Sequence, residues 1–111
     1  MDSVRKQLSK DAFDLLNIIT KKISNDDLNS IPFVLNISSD DARAIIDKII
    51  IGLPDHYFHE LDQDQLSKNT EIIVNDFILF QVQETIENVN YTINLINFIE
   101  NISFKMDKQF E

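Results

Sequence analysis

One glycine and two prolines serve 111 residues, so the chain has almost nothing with which to build the tight reversals that connect short strands. What recurs instead is apolar spacing of three and four. Leu8, Ala12, Leu15, Ile19 and Ile23, with Leu16 beside them, form a single helical stripe. The expectation is an all-α chain, residues 1–111 as a single domain of five or six antiparallel helices in a bundle-like packing. A chain of this length buries a core without help from a metal or a disulfide. With 43% hydrophobic and 26% charged residues it is also globular in composition rather than disordered.

The helix boundaries come from capping chemistry. Asp2 or Ser3 can accept the free N–H groups that open the first helix, and Lys21 and Lys22 suit the negative end of its dipole. Ser24-Asn25-Asp26-Asp27 breaks the pattern. A short helix over about Asp27 to Leu35 is expected next, made irregular by Pro32, with Ile31, Phe33, Val34 and Leu35 turned inward. Ser38-Ser39-Asp40-Asp41 is the strongest start signal. Ser38 can cap, and Asp41 stands three residues on. The helix it opens carries Ile45, Ile46, Ile49 and Ile50 and stops at Gly52, which fits a left-handed cap before Leu53 and Pro54. Pro54 to Leu66 reads as an acid-rich helical stretch in one or two pieces. Asn69 or Thr70 would cap the following helix, with Glu71 in its first turn and Ile73, Phe77, Phe80 and Ile86 on its inner face. Ile78, Leu79 and Val82 widen that face enough to suggest a central, well-buried helix. After the weak break Asn88-Val89-Asn90, a last helix runs from about Tyr91 to Met106 on Leu95, Phe98, Ile99, Ile102 and Met106, unless the two are continuous. The runs Phe33–Leu35 and Ile49–Ile51 could be strands, but the caps around the second favour helix.

The formal charge of −9 is unevenly placed. Between residues 24 and 104 three bases (Arg43, Lys48 and Lys68) face fourteen acids. Such a midsection repels nucleic acid and anionic membranes and draws in basic partners, although acidity also serves solubility alone. The absence of cysteine excludes thiolate–zinc sites and cysteine nucleophiles. Met1 to Leu16 is charged throughout and lacks the apolar region of a signal peptide, and no apolar run is long enough to span a bilayer. A cytoplasmic location is therefore expected.

Catalytic chemistry finds little footing, and no enzyme activity is expected. The only histidines, His56 and His59, share a helix face at i and i+3. With Asp55, Glu60 or Asp62 they could approach a divalent metal, but zinc proteases need two histidines four apart with a glutamate between. Two ordinary surface histidines are the better reading, and no metal or cofactor is expected. No serine sits in a Gly-flanked strained turn, and one glycine cannot build a phosphate loop.

The segment Asp55-His56-Tyr57-Phe58-His59-Glu60-Leu61-Asp62 interleaves acids with aromatic rings, and Asp64 extends it. Rings can anchor and carboxylates can engage Arg or Lys, so Asp55, Tyr57, Phe58, Glu60, Asp62 and Asp64 are the candidate partner-binding residues. The alternative is a solvated face backed by core rings, and ring burial decides between them. The acidic pairs Asp26-Asp27 and Asp40-Asp41 are explained by capping, with a binding rim as a second use.

In size, acidity, lack of cysteine and this acidic aromatic segment, the chain resembles the small helical immunity proteins of bacterial contact-dependent growth inhibition and bacteriocin systems. The resemblance is one of general character over the whole chain, without a shared motif. It implies an inhibitor without activity of its own that binds a basic toxin, typically a nuclease domain, and lays carboxylates over its cationic active site. The competing expectation is an oligomeric adaptor or regulatory accessory protein, because the last two helices are hydrophobic on more than one side and suit self-association.

Overall fold

The computed structural model describes residues 2–25, 30–60, 62–84 and 88–107, leaving the side chains of Glu60 and Asp107 aside. Among these residues there are six helices and no strand: α1 (Ser3–Ser24), α2 (Ile31–Leu35), α3 (Ser39–Ile51), α4 (Asp55–Glu60), α5 (Gln63–Gln83) and α6 (Tyr91–Asp107). The all-α class expected from apolar spacing is what the chain adopts. The radius of gyration, 13.9 Å, is close to the roughly 13 Å of a folded chain this long.

Helix α1 begins where its cap predicts, with the Asp2 carboxylate accepting the Arg5 N–H, and ends on Asn25 in the left-handed region. It packs against α2, α3 and α5, with Leu8, Ala12 and Leu16 sealed from solvent. Its polar positions on that face are satisfied within the fold. Ser9 donates to the Asp47 carboxylate on α3. The Ser30 hydroxyl donates to Thr20 Oγ1 at 2.7 Å, and Thr20 in turn donates to the Leu16 carbonyl at 2.9 Å. Helix α3 is the isoleucine layer, with Ile45, Ile46, Ile49 and Ile50 buried, and it opens on Ser38 Oγ accepting the Asp41 N–H. Helix α6 lies on α3 and α5, turning Ile102 and Met106 into the core. Gln81 closes the junction between α2, α5 and α6. Its amide donates to the Leu35 carbonyl at 3.2 Å, and its oxygen accepts the Tyr91 hydroxyl at 2.7 Å.

Four local expectations are corrected. Gly52 is not in the left-handed region but at φ −73°, ψ −11°; glycine is suited to this place because a Cβ there would lie 3.1 Å from Ser103 Oγ on α6. The left-handed caps are Asn25 and Asn36, residues whose short amide tolerates that conformation. Asn69 and Thr70 do not start a helix. Asp62 does, in a reciprocal capping box with Gln65, which leaves Asn69 and Thr70 buried in mid-helix, where Thr70 Oγ1 bonds back to the Leu66 carbonyl. Phe33 does not turn inward: it is 78% exposed, because α2 is a single helical turn with Ile31 and Leu35 on the side that meets α1 and α5. Helix α5 is buried on one face only, since Leu79 and Val82 point to solvent. It is also separate from α6, for Glu84 leaves the helix in an extended conformation. Asp26, Asp27 and Ile86 lie outside the described residues.

The close approach at Gly52 is testable as a coupling. Gly52→Ala gains chain stiffness but crowds Ser103 Oγ, so its urea midpoint falls below that of Gly52→Ala combined with Ser103→Ala, after correction for Ser103→Ala alone. The expected coupling is about 1 kcal/mol. Strict additivity would assign the glycine no packing role.

Candidate functional site

The acidic aromatic segment folds into α4 and the start of α5, and its residues part company. Tyr57 is 1% exposed and belongs to the core, with Asn69 as hydrogen-bond partner of its hydroxyl. Its ring offers no surface to a partner, which corrects the expectation that it anchors one; the ring is taken up by the hydrophobic core. Phe58 is half-buried and meets Tyr57 edge-on at 5.1 Å. Asp62 and Asp64 are both exposed in the opening turn of α5. Asp62 is occupied as its cap, and Asp64 has no ion pair among the described residues. Glu60 ends α4, but its side chain lies outside the described residues.

Asp55 belongs to a clamp that sequence reading missed, centred on Arg5. The Arg5 side chain is only 13% exposed. Its Nη2 donates to Asp55 Oδ1 and to the Leu53 carbonyl, each at 2.8 Å. Its Nη1 donates to Asp2, and its guanidinium lies 4.7 Å over the Phe58 ring. A planar fork with five donors suits this set better than an ammonium would. The Asp55 hydrogen bond is the leading reason that the guanidinium holds its proton more firmly than usual. Asp2 is held below its ordinary carboxylate range, first by the Arg5 backbone N–H and then by the Arg5 side chain. Nothing at Arg5 foretold these partners, because Asp55 stands fifty residues away.

Beside this clamp a groove of about 470 Å³ lies between α1 and α5. Its floor is Leu8 and Thr70, both buried, with Leu15, Phe58 and Leu66 half-buried around them. The rim carries Gln7 and Asp11 on the α1 side and Gln63 and Glu71 on the α5 side. No lysine or arginine lines it, although Lys68 stands on α5 nearby in sequence. Asp64 and Glu71, two turns apart, share one edge of α5. The segment singled out from sequence therefore reaches the groove through Phe58, with Asp64 next to its rim.

Three further cations have partners. Lys10 pairs with Asp14 at 2.9 Å and Lys105 with Asp76 at 3.0 Å, while Arg43 lies 5.3 Å over the Phe13 ring. In contrast Asp40, Asp41, Asp64, Glu71 and Glu100 make no ion pair among the described residues. Among the described residues no three His, Asp or Glu side chains gather closely enough to hold a metal, and no helix is long and apolar enough to cross a membrane. No family model, curated protein or solved structure matches the chain.

Two outcomes follow from this geometry. Arg5→Ala removes the hydrogen bonds and the ring contact together, and should lower stability by about 2 kcal/mol in urea unfolding, with Asp55→Asn costing less because that carboxylate is 85% exposed. Equal effects would mean that Arg5 acts only through Asp55. Burial raises the Tyr57 and Tyr91 hydroxyls above their ordinary 10.0. Both favour the neutral form when folded, so their contribution is complete below pH 10.0 and is lost as pH climbs through the raised folded values. Tyr57→Phe should therefore reduce the slope of stability against pH above 10.0 in thermal melts, leaving the Tyr91 part. An unchanged slope would place the alkaline transition elsewhere.

Proposed function

We propose that the protein is an inhibitor of the immunity-protein kind. It binds a basic protein toxin, with a nuclease domain as the expected target, and neutralises it by laying carboxylates over the cationic active site, without catalysis of its own. The observation that carries this reading is the surplus of exposed carboxylates in a chain of net charge −9. Asp40, Asp41, Asp64, Glu71 and Glu100 are exposed and make no ion pair among the described residues. Carboxylates that no internal cation satisfies gain most from charge-assisted bonds to Arg and Lys on another protein, and they accelerate the encounter at low salt. A cytoplasmic site of action fits this role.

The test is affinity capture from the native host at low and high salt, followed by a nucleic-acid cleavage assay on what is captured. The expected result is one basic polypeptide whose cleavage activity stops at about equimolar addition of this protein, and whose retention drops when Asp64→Asn and Glu71→Gln are combined. A captured nuclease that stays active in the complex, or an acidic partner indifferent to those changes, would sink the reading.

A second reading has its own support. Helix α6 carries Ile93 and Ile96 at 60% and 50% exposure on the side opposite its core stripe, and Leu79 and Val82 of α5 are exposed as well. Such surface suits an oligomeric adaptor. Sedimentation at micromolar concentration separates the two, since a monomer has no use for that face in self-pairing.

A further inference from the structure

The groove between α1 and α5 combines an apolar floor with a rim that has acids and amides but no cation, whereas two other grooves among the described residues are lined by Lys105 or by Lys6, Lys10 and Arg43. On α1 its wall is Val4, Leu8, Asp11 and Leu15, spaced by four, three and four, which is one straight stripe of a helix. That stripe runs about 16 Å, three turns. The opposite wall, Leu66, Thr70 and its neighbours on α5, repeats the same periodicity. Two helical ridges bordering a trough of this length accept a third helix by ridges-into-grooves packing. With no strand edge among the described residues, the structure presents no template for an extended peptide.

Charge selects among helices. A docked helix would set its apolar stripe on Leu8, Leu15, Phe58 and Leu66, and its flanking residues would meet Asp11 on one side and Glu71 on the other. Arg5, which stacks on Phe58 of the groove, is already held by Asp2 and Asp55, so it offers little to an acidic ligand. We propose that this groove is the docking site for one basic amphipathic helix of the partner protein, about three turns long, with Lys or Arg flanking a Leu/Ile stripe. The proposal rests on the inhibitor reading for the identity of the partner, but not for the groove's selectivity.

The probe is a synthetic 18-residue amphipathic peptide of Leu and Lys, roughly five turns, compared with its Leu/Glu counterpart and with a scrambled Leu/Lys sequence that has no apolar stripe. Titration is followed by calorimetry and by amide chemical shifts of this protein at physiological salt. The expected result is one-to-one binding of the Leu/Lys helix alone, with shifts concentrated at Val4, Leu8, Leu66 and Thr70. Ser67→Arg with Glu71→Lys, both at exposed positions, should weaken it at least tenfold, and the milder Glu71→Gln severalfold. Asp40→Asn with Asp41→Asn, away from the groove, should change it less than threefold. Equal weakening by both pairs, or comparable binding of the scrambled peptide, would overturn the groove and leave only general acidity. Binding of the Leu/Glu helix would overturn the charge selectivity. If the peptide occupies the groove but the native partner proves acidic or unrelated to nucleic-acid cleavage, the inhibitor reading falls and the groove stands. If a basic nuclease is captured with unchanged affinity by the groove variants, the reverse holds.

Discussion

Helix α1 is the wall that α2, α3 and α5 share, and its burial sets the terms for everything around it. A helix covered on several sides needs small and apolar residues where neighbours approach, and partners for whatever polar groups remain there. Ala12 and Leu16 meet the first need; the Ser9–Asp47 and Thr20–Ser30 bonds meet the second. With α1 fixed in this way, its N-terminal turn carries Arg5 to the α3–α4 connection, where the Leu53 carbonyl, Asp55 and Phe58 converge on it. The short helix α4 is thereby tied to the first turn of α1, although six residues could not hold a helix by themselves.

That clamp has an electrostatic consequence. A guanidinium shared between two carboxylates and a ring is unavailable to an incoming anion, so the region around the α1–α5 groove keeps an acidic character despite containing an arginine. Arg5 is drawn into a contact that positions helices, whereas several acids are left at the surface. The net charge of −9 is not deepened by this pairing, since the ion pairs take up four carboxylates (Asp2, Asp14, Asp55 and Asp76) against three cations; it rests on the acids that lie outside them.

What could be read from sequence followed the range of the interaction. The helical class, the Asp2 and Ser38 caps and the core stripe of α6 depend on neighbours three or four residues away, and they were legible. Gly52 was recognised as special for the wrong reason, because the constraint comes from Ser103 on α6, fifty-one residues on. Asn69 and Thr70 are residue types suited to a cap, but the reciprocal pair Asp62–Gln65, equally present in the sequence, opens the helix instead. Tyr57 and Phe58 could not be told apart from sequence, for adjacent residues on a short helix differ in burial only once the neighbours are placed. The groove itself has no sequence signature. Its α1 wall, Val4, Leu8, Asp11 and Leu15, mixes core and exposed positions and emerges only once α5 and Phe58 are placed beside it.

The acids that look most available in sequence are also the ones a helical fold uses for itself. Asp62 caps α5, Asp2 caps α1 and Asp55 holds Arg5, so a partner competing for these carboxylates would loosen the fold it binds. Asp64 and Glu71 carry no such duty among the described residues. They sit on one edge of a long, well-anchored helix, so engaging them costs the fold nothing and requires no rearrangement of α5. A recognition surface built on surplus carboxylates held by a rigid helix can afford high charge and still remain ordered, because the residues that specify the fold and those left for a partner are different ones.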